Sequence, residues 1–425
     1  MCSSLNDYYN KVGHNSNLIV GKKKTNNPKV YQIPNEKNIN FLIKAAGYVS
    51  KNFSPFTKHM IRYVFLPNYR SKVNGREPMY YPGIKAAFSS FIDSPDIVQL
   101  NNLHGKYFDL RKLPWISKNI PTVLRLSDMW SFTGHCAYSK SCNRWHNGCG
   151  DCPDLNLYPS IELDKTRENI ALKESIYKKS KLYISSPSNW LLEKAKLSIL
   201  RHAAIDYKKI PTGIDLDQFF PKNKKKLRYK HKIQNEDIVI IIYASGNKSY
   251  KWDYFSDLLG IFQKERILQS KIVLLIIGKK GNMIKKGNLI INYIGYIDDK
   301  IIYRNYLRIA DLFLHLSTAD TYPNAIMEAL SCGVPTIAFE AGGIPEQIIP
   351  YNKKSKYFSI SKLSTGALAA KGDLLEVITI LKDLIYNESI RKNLSINATQ
   401  YAKTNFDFKN FANEYLKWYE EILSN

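Results

Sequence analysis

Length, composition and charge place the chain among globular proteins with more than one domain. Its 425 residues, 44% of them hydrophobic, exceed what one core usually accommodates, so two domains of roughly 150–200 residues are expected. The formal net charge of +25 favours an anionic partner, although a compositional bias toward Lys explains it equally well. No nucleic-acid-binding motif accompanies the charge, so nucleic acid is not an expected partner.

The apolar segments and the first residues bear on location. The longest apolar runs, Ile238–Ala244 and Ile272–Ile277, are far too short to cross a bilayer. Met1 is followed by polar residues rather than by a basic and then apolar stretch, so a signal peptide is not recognised. These features predict a cytoplasmic protein, with peripheral binding to the inner membrane face as a further expectation from the charge.

The first seventy residues contain a predicted helix, a strand and an aromatic, basic segment. Ser3–Val12 has a helical apolar face and Gly13 ends it, while Ser16–Val20 is typical of a strand. Phe41–Lys72 interleaves aromatic and basic side chains. This composition fits a helix lying on anionic lipid and fits equally well a buried helix whose basic side chains reach solvent.

Two loops that follow predicted strands carry candidate substrate contacts. Asp96–Leu100 and Thr122–Leu126 are predicted strands, and the loops after them contain His104 and Asp128. Parallel α/β sheets place substrate contacts in loops at the carboxyl ends of strands. A lone loop histidine is more often structural, so the role of His104 depends on its surroundings.

A cysteine-rich loop spans residues 130–153. It holds four of the six cysteines, Cys136, Cys142, Cys149 and Cys152. Cysteines at this density predict a structural zinc or other thiolate site that fixes a loop without its own core. A disulfide is less favoured in a reducing cytoplasm, and independently packed thiols are the remaining alternative.

The Lys-rich segment Pro221–Lys232 is the predicted linker between the domains, and the turn Lys209–Asp215 before it is the expected end of the first domain. We therefore place an N-terminal domain at residues 1–215, a second domain at 216–405 and a final helix at 406–425. The second domain opens with a strand and a loop that contains Gly246, Lys248 and Lys251 before the next helix. Free N–H groups at a helix start attract an anion, which a neighbouring lysine can also reach.

The segment Asp311–Ile349 has the pattern of one strand–helix–strand crossover. Asp320 falls at the carboxyl end of the first strand, and Glu328 lies inside the helix, which Gly333 ends. Both carboxylates are expected to face the crevice where open α/β sheets bind ligands. The helix opens at Tyr322–Ala325, whose backbone N–H groups form an anion seat. A ligand that offers phosphate to this seat and hydroxyls to the carboxylates is a nucleotide-activated sugar.

At these residues the sequence resembles the retaining glycosyltransferases of family 4. The motifs that carry the resemblance are Asp320-x7-Glu328, Cys332–Pro335 and Gly342–Glu346. Asp320 stands where the family usually has Glu, and the branch that looks closest, the colanic-acid-type transferases, commonly has Asp. The cysteine-rich loop also looks like a loop of that branch. Ser127 takes the place of a histidine that the family usually has beside Asp128.

The resemblance implies an α/β protein of the GT-B fold, with two facing Rossmann-like domains and a C-terminal helix that returns to the first. It implies retaining, metal-independent sugar transfer from a UDP- or GDP-sugar to a glycan or a polyprenyl-diphosphate-linked acceptor in polysaccharide biosynthesis. By this resemblance Asp320, Glu328 and Asp128 are catalytic, and His104 and Asp128 lie on the acceptor side. The expected donor-binding residues are Lys251, Lys248, Gly246, Tyr322, Pro323, Asn324, Ala325 and Glu328.

Relative to the family, the chain starts inside the first helix, without the opening strand and Gly-rich loop. A nucleotide-sugar-binding pseudoenzyme with an incomplete acceptor domain is therefore the alternative hypothesis. A nucleic-acid-binding protein that exploits the positive charge is a third, and it would require DNA binding that falls steeply with salt.

Overall fold

A computed structural model describes residues 1–34, 48, 54–89, 94–243, 254–264, 271–358 and 363–424. Gly246, Lys248 and Lys251 lie outside the described residues, as does part of the segment Phe41–Lys72. The chain forms two compact units, Met1–Ile210 with the residues from Glu414 onward, and Pro211–Asn413. The sequence predicted that the N-terminal domain ends at Asp215.

The first unit contains a four-stranded parallel sheet within the described residues, and a separate parallel pair. The pair is β1 (Leu18–Val20) and β2 (Val30–Gln32). The sheet has the order β3 (Val98–Asn101), β4 (Thr122–Arg125), β5 (Leu182–Ser186), β6 (Ala204–Lys209). The helices are α1 (Cys2–Lys11), α2 (Pro55–Phe65), α3 (Pro67–Val73), α4 (Ile84–Ser89), α5 (Leu113–Asn119), α6 (Thr166–Tyr177) and α7 (Asn189–Lys196).

The second unit contains, within the described residues, a seven-stranded sheet in the order β13-β12-β11-β7-β8-β10-β9. Its strands are β7 (Ile238–Tyr243), β8 (Ile272–Ile277), β9 (Ile284–Lys286), β10 (Leu289–Gly295), β11 (Leu312–His315), β12 (Thr336–Phe339) and β13 (Gly366–Ala369). All neighbours are parallel except the edge strand β9, which is antiparallel to β10. The helices are α8 (Lys224–Lys230), α9 (Phe255–Lys264), α10 (Lys300–Ile309), α11 (Asn324–Ser331), α12 (Leu374–Tyr386) and α13 (Glu388–Asn405).

The Lys-rich segment Pro221–Lys232 was predicted as a linker, and the structure corrects this, because it contains helix α8. The side chain of Arg228 is buried and donates hydrogen bonds to the carbonyl oxygens of Ile309, Asn235 and Asp237. These partners lie outside the segment, so its lysine content could not predict the contacts that hold the helix.

The last helix, α14 (Phe408–Ser424), begins in the second unit and belongs to the first from Glu414. Its apolar side chains are buried in the core and include Tyr415 and Trp418. The hydroxyls of Tyr415 and Ser185, which belongs to β5, lie 2.8 Å apart. Among the described residues, no helix combines the length and apolar character needed to span a bilayer.

Candidate active site

The loop between β11 and α11 places Asp320 at the carboxyl end of a fully buried strand, as predicted from the sequence. The carbonyl oxygen of Asp320 accepts a hydrogen bond of 3.0 Å from the N–H of Gly343. Gly342 has φ +61°, and a Cβ at this position would come within 1.9 Å of that same oxygen. Only glycine allows this close approach, so the Gly342–Gly343 turn fixes the backbone that presents Asp320.

The carboxylate of Asp320 is partly exposed and lies beside a buried imidazole. Its Oδ2 is 3.7 Å from Nε2 of His315, whose side chain is 5% exposed. This Nε2 is buried and forms no hydrogen bond within the part of the chain that the structure describes. His315 and Asp320 therefore place two polar groups next to each other at the end of β11.

Glu328 lies on α11 and is held by a tyrosine from the neighbouring helix α10. The hydroxyl of Tyr303 donates a 2.9 Å hydrogen bond to Oε2 of Glu328. Burial raises the pKa of Glu328, while this hydrogen bond and the nearby charge of Lys300 act in the opposite direction. Burial, together with the charge of Glu328, raises the pKa of Tyr303 well above its usual value, so Tyr303 remains a donor. Oε1 of Glu328 has no hydrogen bond within the described residues and can accept one from a ligand hydroxyl.

The first turn of α11 is the predicted anion seat. Tyr322 is buried, Asn324 is exposed, and Pro323 precedes the first helical residue without a capping side chain. Pro323 has no N–H, so the donors of this turn are the N–H groups of Asn324 and Ala325. The side-chain amide of Gln347 donates a 3.1 Å hydrogen bond to the carbonyl oxygen of Pro323 and so holds the turn in place.

In the first unit, His104 and Asp128 form a pair. Nε2 of His104 lies 2.8 Å from Oδ2 of Asp128, and the two side chains are 8% and 17% exposed. The other carboxylate oxygen of Asp128 accepts the N–H of Trp130 over 2.9 Å. The rings of Trp130 and Tyr158 flank the imidazole at centroid distances of 5.4 and 5.7 Å. The pair forms because β3 and β4 are parallel neighbours whose carboxyl ends meet at one sheet edge.

The cysteine-rich loop brings thiols and a histidine close together. Sγ of Cys152 lies 3.4 Å from Nε2 of His135, whose Nδ1 is 2.9 Å from the carbonyl oxygen of Pro159. Burial raises the pKa of Cys136 to about 12 and that of Cys149 to about 11. Among the described residues, no group of three or more His, Cys, Asp or Glu side chains is arranged to hold a metal ion. The zinc predicted at Cys136, Cys142, Cys149 and Cys152 therefore stays a prediction.

Two residues that lie next to the predicted carboxylates, Tyr303 and His315, were not predicted from the sequence. Tyr303 lies on a helix that precedes β11 and has no spacing relation to Glu328, so the sequence carries no signal for their contact. His315 is the last residue of β11, and a histidine at the end of an apolar strand is a signal that could have been used.

The second unit matches a known family. Residues 223–401 match the model of the family described as "Glycosyl transferases group 1". This match includes β11, α11 and β12, and hence both Asp320 and Glu328.

Curated relatives extend the similarity beyond this segment. The chain is 23% identical over 345 residues to a putative colanic acid biosynthesis glycosyl transferase, WcaC, of Escherichia coli, covering 77% of each chain. It is 26% identical over 225 residues to the N,N'-diacetylbacillosaminyl-diphospho-undecaprenol alpha-1,3-N-acetylgalactosaminyltransferase of Campylobacter jejuni. That alignment covers 50% of this chain and 54% of the relative.

Solved structures share the fold at low sequence identity. Sucrose-phosphate synthase from Thermosynechococcus elongatus aligns with a TM-score of 0.60 and 13% identity, over 99% of this chain and 92% of its own. Anabaena HepE in complex with UDP-glucose aligns with a TM-score of 0.51 and 16% identity, over 77% and 78%. The chain thus has the GT-B fold, as predicted. With the family match and the named transferases, it is a glycosyltransferase, which is the predicted enzyme class.

Proposed function

We propose that the chain is a retaining transferase that moves a sugar from a UDP- or GDP-sugar to a glycan or a polyprenyl-diphosphate-linked acceptor in polysaccharide biosynthesis. The observation that carries the proposal is the placement of Asp320 and Glu328 on either side of the first turn of α11, within the segment that matches the family. Complexes of HepE with UDP-glucose and the names of the two curated relatives support the donor and acceptor classes.

The donor would be held by charge and by hydroxyl contacts. Glu328, kept in place by Tyr303, accepts hydrogen bonds from the ribose, and Asp320 holds sugar hydroxyls near the anomeric carbon. The N–H groups at the start of α11 stabilise the negative charge of the leaving diphosphate, and no metal is required for this step. Lys251, Lys248 and Gly246, which lie outside the described residues, are proposed to contact the same diphosphate.

On the acceptor side, the His104–Asp128 pair would position the acceptor hydroxyl that attacks the sugar. The carboxylate of Asp128 is held by the imidazole and by the N–H of Trp130, so its orientation is fixed before an acceptor arrives. Such an arrangement suits a group that positions a reacting hydroxyl.

A membrane surface is the proposed location of the acceptor. No residue of α2 is buried, and Phe56, Met60 and Val64, which follow one another at a spacing of four along one helix face, are exposed. Lys58 and Arg62 lie on the same helix. A helix with exposed apolar and basic side chains is suited to anionic lipid headgroups, and the inner membrane face is therefore the proposed location of the enzyme.

A structural zinc ion in the cysteine-rich loop is also proposed, with no part in catalysis. Thiolates and imidazole are the donors that zinc prefers, and Cys152 and His135 are already adjacent. The proposal predicts close to one zinc per chain in elemental analysis of protein purified under reducing conditions. Protein without metal under those conditions would leave independently packed thiols as the explanation.

Calorimetric titration with UDP, GDP and their sugar conjugates tests the donor assignment. We expect one nucleotide to bind and Glu328→Ala to weaken its binding at least tenfold, because the ribose loses its charge-assisted hydrogen bond to the carboxylate. Glu388→Ala is the control, since Glu388 is an exposed glutamate of the same unit whose ion pair with Lys392 lies on the surface. Binding of no nucleotide would contradict the proposal, and nucleotide binding without sugar transfer would favour the pseudoenzyme.

A further inference from the structure

The first unit contains a cavity of about 540 Å³ to which no role has yet been assigned. It lies between α3, the segment that follows α3, and α6. Its polar lining consists of Arg70, Ser71, Arg76, Glu77, Tyr80, Arg111, Glu168 and Asn169. A cavity of this size is sufficient for a small phosphorylated ligand, since ligand sites range from roughly 300 to 1,000 Å³.

The charge of the cavity wall is positive and largely unpaired. Arg111 is held by Asp109, to which its Nε and Nη2 atoms donate over 2.8 Å each. Within the described residues, the side chains of Arg70 and Arg76 form no hydrogen bond and no ion pair. Glu168, which also lines the cavity and whose pKa the charge of Arg76 helps to lower, is paired with Lys165 at 2.8 Å. Two guanidinium groups are therefore available to an anion.

The floor of the cavity offers a hydrogen-bond acceptor. Glu77 is 9% exposed, and its Oε1 accepts a 3.0 Å hydrogen bond from Nζ of Lys173. Oε2 is buried 3.0 Å from the same ammonium, and within the described residues it accepts no hydrogen bond of regular geometry. The Trp130 side chain is the other donor that acts on this carboxylate. An acceptor atom left in this state favours a ligand that brings a hydroxyl to it.

Lys173 connects this floor to the loop that holds Asp128. Its fully buried ammonium also donates to the carbonyl oxygens of Trp130 and Thr133 over 2.7 and 2.9 Å, and it lies 3.8 Å from the centre of the Trp130 ring. Trp130 in turn donates its N–H to Asp128. The cavity therefore adjoins the part of the first unit to which the acceptor has been assigned.

We propose that the cavity binds a phosphate-bearing sugar of the acceptor, with Arg70 and Arg76 on the phosphate and Glu77 on a sugar hydroxyl. Guanidinium groups bind phosphate oxygens in pairs, and the carboxylate of Glu77 excludes a ligand that is anionic throughout. The assignment as acceptor site rests on the proposed function, whereas the recognition of a sugar phosphate depends on the cavity alone.

The test compares glucose 1-phosphate, glucuronate and glucose by calorimetry, with excess UDP and GDP present to fill the nucleotide site. The variant Arg70→Ala/Arg76→Ala removes both guanidinium groups, and Arg201→Ala/Lys225→Ala removes the same charge from exposed positions away from the cavity. For the wild type we expect glucose 1-phosphate to bind at least tenfold more tightly than glucose. The first variant loses that advantage, and the control retains it.

Three outcomes would overturn the proposal: equal binding of glucose 1-phosphate and glucose, equal losses in the two variants, or tighter binding of glucuronate than of glucose 1-phosphate. Nucleotide binding is measured on the same preparations without the sugars. A protein that binds glucose 1-phosphate through Arg70 and Arg76 but binds no nucleotide would contradict the proposed transferase and leave the cavity assignment intact. The reverse result would contradict only the cavity assignment.

Discussion

At the scale of single residues, Glu328 belongs to the family motif, and its ionisation can be measured. Its position in the sequence predicted a ligand carboxylate, but its environment was not predictable, because Tyr303 reaches it from another helix. Burial raises its pKa, so the carboxylate accepts a proton at a higher pH than an exposed glutamate. The ionised form gives the ribose hydroxyl a charge-assisted hydrogen bond, which is stronger than one to the neutral carboxyl.

The first prediction is that nucleotide affinity falls on acidification and that Glu328 causes part of the fall. As the pH drops through the raised pKa of Glu328, the neutral form accumulates and affinity declines by up to about tenfold per pH unit. Glu328→Gln should bind more weakly at neutral pH and lack this part of the dependence. The measurement is calorimetric affinity between pH 4.5 and 8. The nucleotide phosphate also titrates in this range, and Glu328→Gln shows that contribution alone. If affinity falls with pH in the same way in the wild type and in Glu328→Gln, the prediction is contradicted.

A second prediction concerns Tyr303→Phe. The hydrogen bond from Tyr303 opposes the effect of burial on Glu328, so its removal should raise the pKa of Glu328 further. The pH at which nucleotide affinity begins to fall should therefore move upward, and affinity at neutral pH should drop several-fold. Tyr306→Phe is the control, because Tyr306 lies on the same helix and its ring faces His231. An unchanged midpoint with reduced affinity would indicate that Tyr303 only supports the packing of α10.

At the scale of elements, the β11–α11–β12 crossover was predictable and helix α8 was not. The crossover follows from two apolar runs, a helical pattern between them and Gly333, which has φ +75° where the helix ends. In contrast, α8 is a run of lysines around one buried arginine. The partners of that arginine, Ile309, Asp311 and the carbonyl groups of Asn235 and Asp237, are brought to it only by the fold. Local composition therefore favoured a solvated linker.

The third prediction follows from the acid that anchors α8. Asp311 lies 2.5 Å from Nη2 of Arg228 and 3.0 Å from Nζ of Lys224, and it accepts the N–H of Val239 over 2.8 Å. Asp311→Asn leaves a buried guanidinium without its counter-charge, which should cost about 3 kcal/mol in the free energy of unfolding. Chemical denaturation of the second unit measures this, with Glu388→Gln as a surface ion-pair control that should show no measurable loss.

The same substitution has a pH signature. Burial acts to raise the pKa of Asp311, but the charges of Lys224 and Arg228 outweigh it, so the folded-state pKa is lowered. A lowered pKa contributes stability that is present above the unfolded-state pKa and is lost as pH falls through the folded-state pKa. The stability difference between wild type and Asp311→Asn should therefore be greatest near neutral pH and shrink in acid. A difference that does not change with pH would show that packing, rather than charge, anchors α8.

At the scale of the whole molecule, the fold class followed from the sequence, while the pairing of distant residues did not. The family resemblance carried by the motifs around Asp320 and Glu328 implied an α/β protein of the GT-B fold, and the solved structures confirm that fold. His104 and Asp128 were both singled out, but separately, since their contact depends on which strands are neighbours. The net charge of +25 left bias and an anionic surface equally open, and composition alone does not separate them.

The last prediction separates those two readings of the charge. If α2 lies on anionic lipid, the protein should co-sediment with vesicles of phosphatidylglycerol and not with vesicles of phosphatidylcholine. Phe56→Ser/Met60→Ser should then lower the partition constant at least tenfold, because two apolar side chains, each worth about 1.5–3 kcal/mol when fully buried, no longer enter the lipid. Leu375→Ser/Ile396→Ser removes two similarly exposed side chains from the second unit and should not change the partition constant.

Binding that disappears with salt and is equal in both variants would show that the charge acts without α2. Binding that resists salt but requires Phe56 and Met60 would show that apolar insertion dominates, and the surplus of lysine would then be a bias of composition.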